Sequence, residues 1–354
     1  MAESFVKEKK CPNCGAPLRF DPQAGMLICD YCDSRFEVSE TEAKTDGQSV
    51  SQMDFQEAKE ALEKLNVYIC RSCGAEIICD PENVALTCPY CGNNIVLSDK
   101  VSGSLVPDGI IPFSITPDKL AETVRSFYKD KKLLPKNFLS DSSIGKVQGI
   151  YVPFWIYNTD VNGDISMEAS VSSSHRQGDY RVTEHRYFQL DRNVSMRFEN
   201  MPVDASRKMD DALMDSLEPY DFSKIVGFDP SYLAGYLADR FDLDAREVKE
   251  RADERMQNSA MSVARSSTSM GYVVTASDGH FDLSHSSARY VLLPAYIFSV
   301  KYNDKEYSFG VNGQTGQVVG ELPTDKSVKR AYFWKSFLPV ALGIFAALWF
   351  LVLR

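Results

Sequence analysis

The sequence predicts an α+β protein in four parts: two small β units pinned by cysteine pairs, a mixed α+β body with antiparallel strands, and a C-terminal transmembrane helix. Three observations predict it. The stretch CPNCGAPLRFDPQAGMLICDYC, from Cys11 to Cys32, returns as CRSCGAEIICDPENVALTCPYC, from Cys70 to Cys91. The middle of the chain alternates polar and apolar residues between turn signals. The run FLPVALGIFAALWFLVL, from Phe337 to Leu353, carries no charge.

The first unit covers residues 1–38. Its two CxxC pairs are separated by 14 residues, and the second unit, 67–100, repeats that spacing. Gly15-Ala16 matches Gly74-Ala75, Asp21-Pro22 matches Asp80-Pro81, Leu27 matches Leu86 and Tyr31 matches Tyr90. One unit is used twice, and such a repeat organises the rest of the reading. Between the units, 39–66 reads as a polar linker and a short helix, with Phe55, Ala58, Leu62 and Leu65 at helical spacing.

The body is placed at 104–325. A helix is expected to start at Pro117 with Thr116 as its N-cap. GIYVPFWIYNTDVNGDISMEASV reads as a hairpin turning at Asn162-Gly163, with further strands to about 200. DAREVKERADERMQNSAMSVAR reads as a helix with an apolar stripe of Ala245, Val248, Ala252, Met256, Ala260 and Val263. A capping box of Asp244 and Glu247 starts it. Three strands follow, with turns at Asn303-Asp304 and Asn312-Gly313. Aligning Pro153 with Pro294 superposes Trp155 on Tyr296 and Ile156 on Ile297, so the body contains a candidate internal duplication.

The anchor is placed at 332–354. Lys326, Lys329, Arg330 and Lys335 crowd its N-terminal side, Tyr332, Phe333 and Trp334 form an aromatic girdle, and Trp349 sits near the far end. The positive-inside rule then predicts a single-pass cell-membrane protein with its N-terminal body in the cytoplasm. No apolar leader follows the polar MAESFVKEKK.

Two CxxC turns supply four thiolates in the tetrahedral arrangement that zinc prefers, and the glycine after a pair eases the tight turn. The expected ligands are Cys11, Cys14, Cys29 and Cys32 in one site, and Cys70, Cys73, Cys88 and Cys91 in the other. Such short strands bury too little to fold alone, so the metal contributes folding energy. Four thiolates leave no coordination position for water, which makes these sites structural. An iron site of rubredoxin type, with electron transfer, uses the same paired turns and stays open. Cys79 aligns with the apolar Phe20 and reads as a small buried hydrophobe. Tyr31 and Tyr90 are expected to pack the small cores of the units.

All nine cysteines precede residue 92, a usage that fits reduced thiols better than a disulfide framework. Net charge is -10. Residues 1–100 hold ten Lys plus Arg against 17 Asp plus Glu, a balance of 10 - 17 = -7, which opposes phosphate binding. His175, His185, His280 and His285 are scattered, and no motif for nucleophilic or nucleotide chemistry accompanies them. No catalytic constellation is visible, and no enzyme is expected.

The CPxC and CxYC turns resemble zinc ribbons of the TFIIB type and those of the bacterial primosomal helicase, over residues 11–32 and 70–91 only. Over 111–323, the segments IPFSIT, YVPFWIY, LEPYDFSK, YLAGYLADRFDLDA and NGQTGQVVGELP resemble a bacterial family of membrane-anchored double zinc-ribbon proteins. Some members are encoded beside phage-shock (PspA-like) and flotillin-like proteins, which implies an envelope-stress role. The resemblance supplies no catalytic residues. The function expected is a membrane-tethered cytosolic adaptor that presents two zinc ribbons to cytosolic or membrane proteins. The alternative is a nucleic-acid-binding ribbon protein of replication or transcription.

Overall fold

A computed structural model of the chain describes residues 11–38, 66–70, 72, 74–79, 88, 90, 96–100, 106–129, 131, 133–135, 138, 147, 149–268, 271–303, 305–323 and 326–352. The short helix expected within 39–66 lies outside these residues. The first cysteine unit forms its own antiparallel sheet of β1 (Arg19–Asp21), β2 (Met26–Ile28) and β3 (Arg35–Glu37). Its core is Leu18, Phe20, Leu27 and Val38, all buried.

The second unit is built differently. Its strands β4 (Asn66–Ile69), β5 (Glu76–Cys79) and β6 (Val96–Lys100) form one flank of a 10-stranded mixed sheet. The rest of that sheet comes from β7 (Gly109–Ile110), β8 (Gly149–Gln177), β9 (Tyr180–Asp204), β10 (Leu237–Asp239), β11 (Val273–Tyr302), β12 (Lys305–Asn312) and β13 (Val318–Gly320). Along the main path the order is β13-β12-β11-β8-β10-β5-β4-β6, with β9 beside β8 and β7 beside β11. The expectation of two free-standing ribbons followed by a separate body is therefore corrected. The join is the pairing of β5 with β10, Ala238 opposite Ile78.

The helices are α1 (Pro117–Lys129), α2 (Asp211–Ser216), α3 (Lys249–Ser266) and α4 (Lys326–Val352). Thr116 stands at the start of α1 as expected, its hydroxyl accepting from the Lys119 N–H at 3.4 Å. The capping box ahead of α3 is reciprocal: Asp244 accepts from the N–H of Glu247 at 3.0 Å, and Glu247 accepts from the N–H of Asp244 at 2.8 Å. The buried stripe of α3 runs Ala252, Met256, Ala260, Ala264, while Val263 is exposed.

Asn162-Gly163 is not a turn. β8 runs straight through it, and the hairpin closes at Gly178, where φ is +63°. Gly163 lies opposite Phe281 of β11, and a Cβ there would come within 2.5 Å of the Phe281 ring. The glycine serves a close approach between strands rather than a reversal of the chain. β8, β9 and β11 thus make a ribbon of 29, 25 and 30 residues, with α3 packed on one face.

The alignment of Pro153 with Pro294 has a geometric counterpart. Tyr151 pairs with Pro294 and Pro153 pairs with Leu292, so the β8–β11 register is unchanged when the strands are exchanged by that offset. Each strand also receives a parallel neighbour at the matching place: Leu237 opposite Ile150, and Gly109 opposite Val291. The Ala205 N–H donates to the Pro153 carbonyl and the Gly313 N–H to the Pro294 carbonyl, both at 2.9 Å. The outer side of β7 is bridged at Ile110 by Val226, and the matching side of β10 is taken at Ala238 by β5.

The transmembrane expectation fails. Among the described residues no helix is long and apolar enough to cross a membrane. Lys326, Lys329, Arg330 and Lys335 occupy the first turns of α4, and its described helical residues end at Val352. The 27 residues of α4 therefore do not form one continuous uncharged run. The expected anchor and the single-pass membrane localisation are corrected with it. The large apolar side chains described on that stretch, among them Phe337, Ile344, Phe345 and Trp349, are exposed.

Candidate metal centre

Two tight turns build the first site. In the first, the Gly15 N–H donates to the Cys11 carbonyl at 2.7 Å and the Cys11 N–H to the Ala16 carbonyl at 2.7 Å. In the second, the Asp33 N–H donates to the Cys29 carbonyl and the Cys29 N–H to the Ser34 carbonyl, both at 2.9 Å. Each turn folds its two thiols toward the other turn. The Sγ atoms of Cys11, Cys14, Cys29 and Cys32 all lie within 4.8 Å of one another. Cys11 Sγ is 3.4 Å from Cys32 Sγ, and Cys14 Sγ is 3.5 Å from Cys29 Sγ. A tetrahedral four-thiolate site with metal–sulfur bonds of about 2.3 Å has sulfurs about 3.8 Å apart. The cluster fits that size, and these four cysteines could hold a metal ion.

Electrostatics agree with the geometry. Hydrogen bonds from the hydroxyl and backbone N–H of Ser34 draw the Cys32 thiol down to about 6. The Ala16 N–H also pulls on Cys14, but contacts with the Cys29 and Cys32 thiols outweigh it and push Cys14 up to about 12. Four sulfurs this close cannot all ionise unless a cation sits among them. Cys11 and Cys29 are buried, and Cys14 and Cys32 are exposed.

In the second unit, the Gly74 N–H donates to the Cys70 carbonyl at 2.7 Å and the Cys70 N–H to the Ala75 carbonyl at 2.8 Å. This is the turn of Cys11 and Gly15 again, with Gly74 at φ +74° and Gly15 at +75°. Cys70 and Cys88 are buried. Cys73 and Cys91 lie outside the described residues, as does the side chain of Cys79.

Both units contact one segment of the body. Phe20 donates its N–H to the Ala234 carbonyl at 3.1 Å and packs edge-on against Tyr232, with ring centroids 5.0 Å apart. Arg19 lies over Gly235, whose φ of +84° suits glycine and whose missing Cβ would meet the Arg19 stem at 2.9 Å. Immediately downstream, β10 pairs with β5 of the second unit. The two tyrosines at matching positions diverge. Tyr31 is 80% exposed, contrary to the expectation that it packs a core. Tyr90 is half-buried with its hydroxyl near Asp239, whose carboxylate it helps stabilise and which accepts from Ser206 at 2.8 Å.

The body gathers a charge cluster that the sequence reading passed over. Arg251 of α3 bonds Asp204 at 2.7 Å and Asp215 at 2.6 Å, and Arg255 bonds Glu218 at 2.7 Å and the Pro202 carbonyl at 2.6 Å. Asp204 is fully buried, and burial raises its carboxyl against the opposing pull of Arg251. The cluster clamps α3 to the ends of β9 and α2. Its signal in the sequence was the four-residue spacing of Asp211 with Asp215 and of Arg251 with Arg255. The histidines stay apart: His185 meets Ser172, His285 meets Asp160 and His280 stands near Asp282.

No family model matches the chain, and no solved structure matches it. The resemblance to zinc ribbons therefore rests on the residues themselves. A Bacillus subtilis (strain 168) protein described as uncharacterized protein YdjG is 35% identical over 326 residues, covering 92% of this chain and 92% of that protein. With likeness across nearly the whole of both, the chain belongs to the same family as YdjG.

Proposed function

We propose that this chain is a zinc-binding adaptor whose two metal sites are structural and whose cysteine units are presented to protein partners. The observation that carries the reading is the closed donor set of Cys11, Cys14, Cys29 and Cys32, all within 4.8 Å. Four protein sulfurs fill a tetrahedron, so neither water nor substrate has a place on the metal. Zinc is the metal chosen, because four thiolates in a tetrahedron suit it. The repeated turn at Cys70 and Gly74 supports a second site completed by Cys73, Cys88 and Cys91. The exposure of Tyr31 beside the first site supports a contact surface, since an aromatic ring without a core to fill is a common interface anchor. Proteins rather than nucleic acids are the proposed partners. Residues 1–100 carry a balance of -7, and each four-thiolate zinc site adds about -2.

The test is metal analysis of the purified full-length chain, combined with thiol reactivity. Two equivalents of zinc are expected, with the ligand thiols unreactive until a chelator is added. Iron-type visible absorption would overturn the zinc reading in favour of a redox role. Salt-sensitive binding of DNA or RNA tighter than about micromolar at physiological salt would overturn the adaptor reading.

A further inference from the structure

We infer that the chain forms a two-fold dimer through the free edge of β9, with Phe188 on the axis. Among the described residues β9, Tyr180–Asp204, pairs with no strand but β8, so its other edge lacks a strand partner; near its end the Pro202 carbonyl is taken by Arg255. A long edge with open N–H and C=O groups is a template for another strand. Its occupant can be read from the side chains. When a strand pairs antiparallel with its own copy, residues equidistant from the axis face each other on the same side of the sheet.

Centring on Phe188 sets Glu184 opposite Arg192 and His185 opposite Asp191, each twice by symmetry. It also sets Val182 opposite Val194 and Tyr180 opposite Met196, and no like charges meet. Neighbouring registers do worse. Centring on Gln189 puts Arg181 opposite Arg197 and Arg186 opposite Arg192, while centring on Arg186, Asp191 or Arg192 puts a like pair on the axis itself. Centring on Tyr187 or Leu190 leaves Glu184 and Arg192 opposite neutral residues. Opposite-charge and aromatic cross-strand pairs stabilise a sheet, and like charges directly opposite destabilise it.

The exposed aromatics Tyr180, Tyr187 and Phe188 all lie on this strand. Of the side chains this register pairs, Glu184 meets Arg186 at 3.7 Å in an exposed, weak ion pair, His185 touches Ser172 and Arg192 donates to the Asp191 carbonyl, contacts at the surface that can exchange for bridges to a copy. The partner is therefore a second copy of this chain. The inference does not depend on the metal reading.

The experiment uses full-length Phe188→Cys with a short bismaleimide, mapped by peptide mass spectrometry. Opposed positions on paired antiparallel strands lie within about 5.5 Å, so a 188–188 link is expected, whereas Tyr180→Cys gives no 180–180 link. Adding Glu184→Arg is expected to lower the 188–188 yield about tenfold, because each reversal acts twice across the axis. Adding Arg192→Glu to that variant is expected to restore it. Both charged positions are on the strand surface, so folding survives. No 188–188 link at about 100 μM protein, or a link indifferent to Glu184→Arg, overturns the inference.

Discussion

The first cysteine unit closes its own three-stranded sheet, whereas the second lends β4, β5 and β6 to the 10-stranded sheet of the body. Their metal-side turns are alike, at Cys11 to Ala16 and at Cys70 to Ala75. What differs is the far side of each unit. The first meets the body through Phe20, Arg19 and one backbone hydrogen bond to Ala234. The second is a ladder neighbour of β10, in the place that Val226 holds beside β7 in the matching half of the body. The metal turn therefore does not dictate how a unit is used. The strand edge it offers does.

The largest effect is expected from Cys70→Ser. On the proposed zinc reading, losing a ligand from the second unit should remove one metal ion and lower global stability by about 4 kcal/mol or more, as losses of structural metal do. Chemical denaturation with metal analysis checks it. Cys11→Ser should also remove one zinc, but unfold the first unit alone. Gly235→Ala comes next. With φ at +84° and the Arg19 stem 2.9 Å from a new Cβ, it should cost about 1–2 kcal/mol and loosen the first unit, seen as faster proteolysis within 11–38.

A smaller effect belongs to Asp239, at the join of the second unit. Burial raises its carboxyl, opposed by Lys208, Tyr90 and Ser206. A carboxyl whose folded pKa is raised holds its proton more tightly when folded. Its contribution is fully present below the unfolded value near 3.9 and is lost as pH rises through the folded value. Asp239→Asn should flatten the decline in stability as pH rises from about 4, with thermal melts across pH as the readout. The smallest effects separate the matched tyrosines. Tyr90→Phe removes a polar hydroxyl near Asp239 and should cost up to about 1 kcal/mol, and Tyr31→Phe, at an exposed position, less than about 0.5 kcal/mol.

The metal site was legible because its chemistry is local. Cys11, Cys14, Cys29 and Cys32 reach one another through two short turns, and spacing alone encodes that. The body was less legible because its decisive contacts are distant. Asn162-Gly163 has the composition of a hairpin turn, yet Phe281, far along the chain, needs the space that Gly163 leaves. Tyr31 and Tyr90 are equivalent in the repeat, and only the approach of β10 with Asp239 leaves one half-buried at a joint. The clamp of Asp204 with Arg251 joins three elements, and no window of sequence contains it. The C-terminal run was read from its apolarity, its flanking cations and its aromatic girdle, yet no described helix is long and apolar enough to cross a membrane. The equivalence of Pro153 and Pro294 could be seen in sequence because both halves keep the same apolar pattern around the proline.

The most direct test of the difference between the units is backbone hydrogen exchange at Leu237–Asp239 of β10, in zinc-loaded wild type, Cys11→Ser and Cys70→Ser. The account predicts that Cys11→Ser leaves β10 as protected as in the wild type, because the first unit only rests against the turn before it. It predicts that Cys70→Ser exposes β10 by at least about tenfold in exchange rate, because β5 is its ladder partner. Equal protection of β10 in the two variants would contradict it.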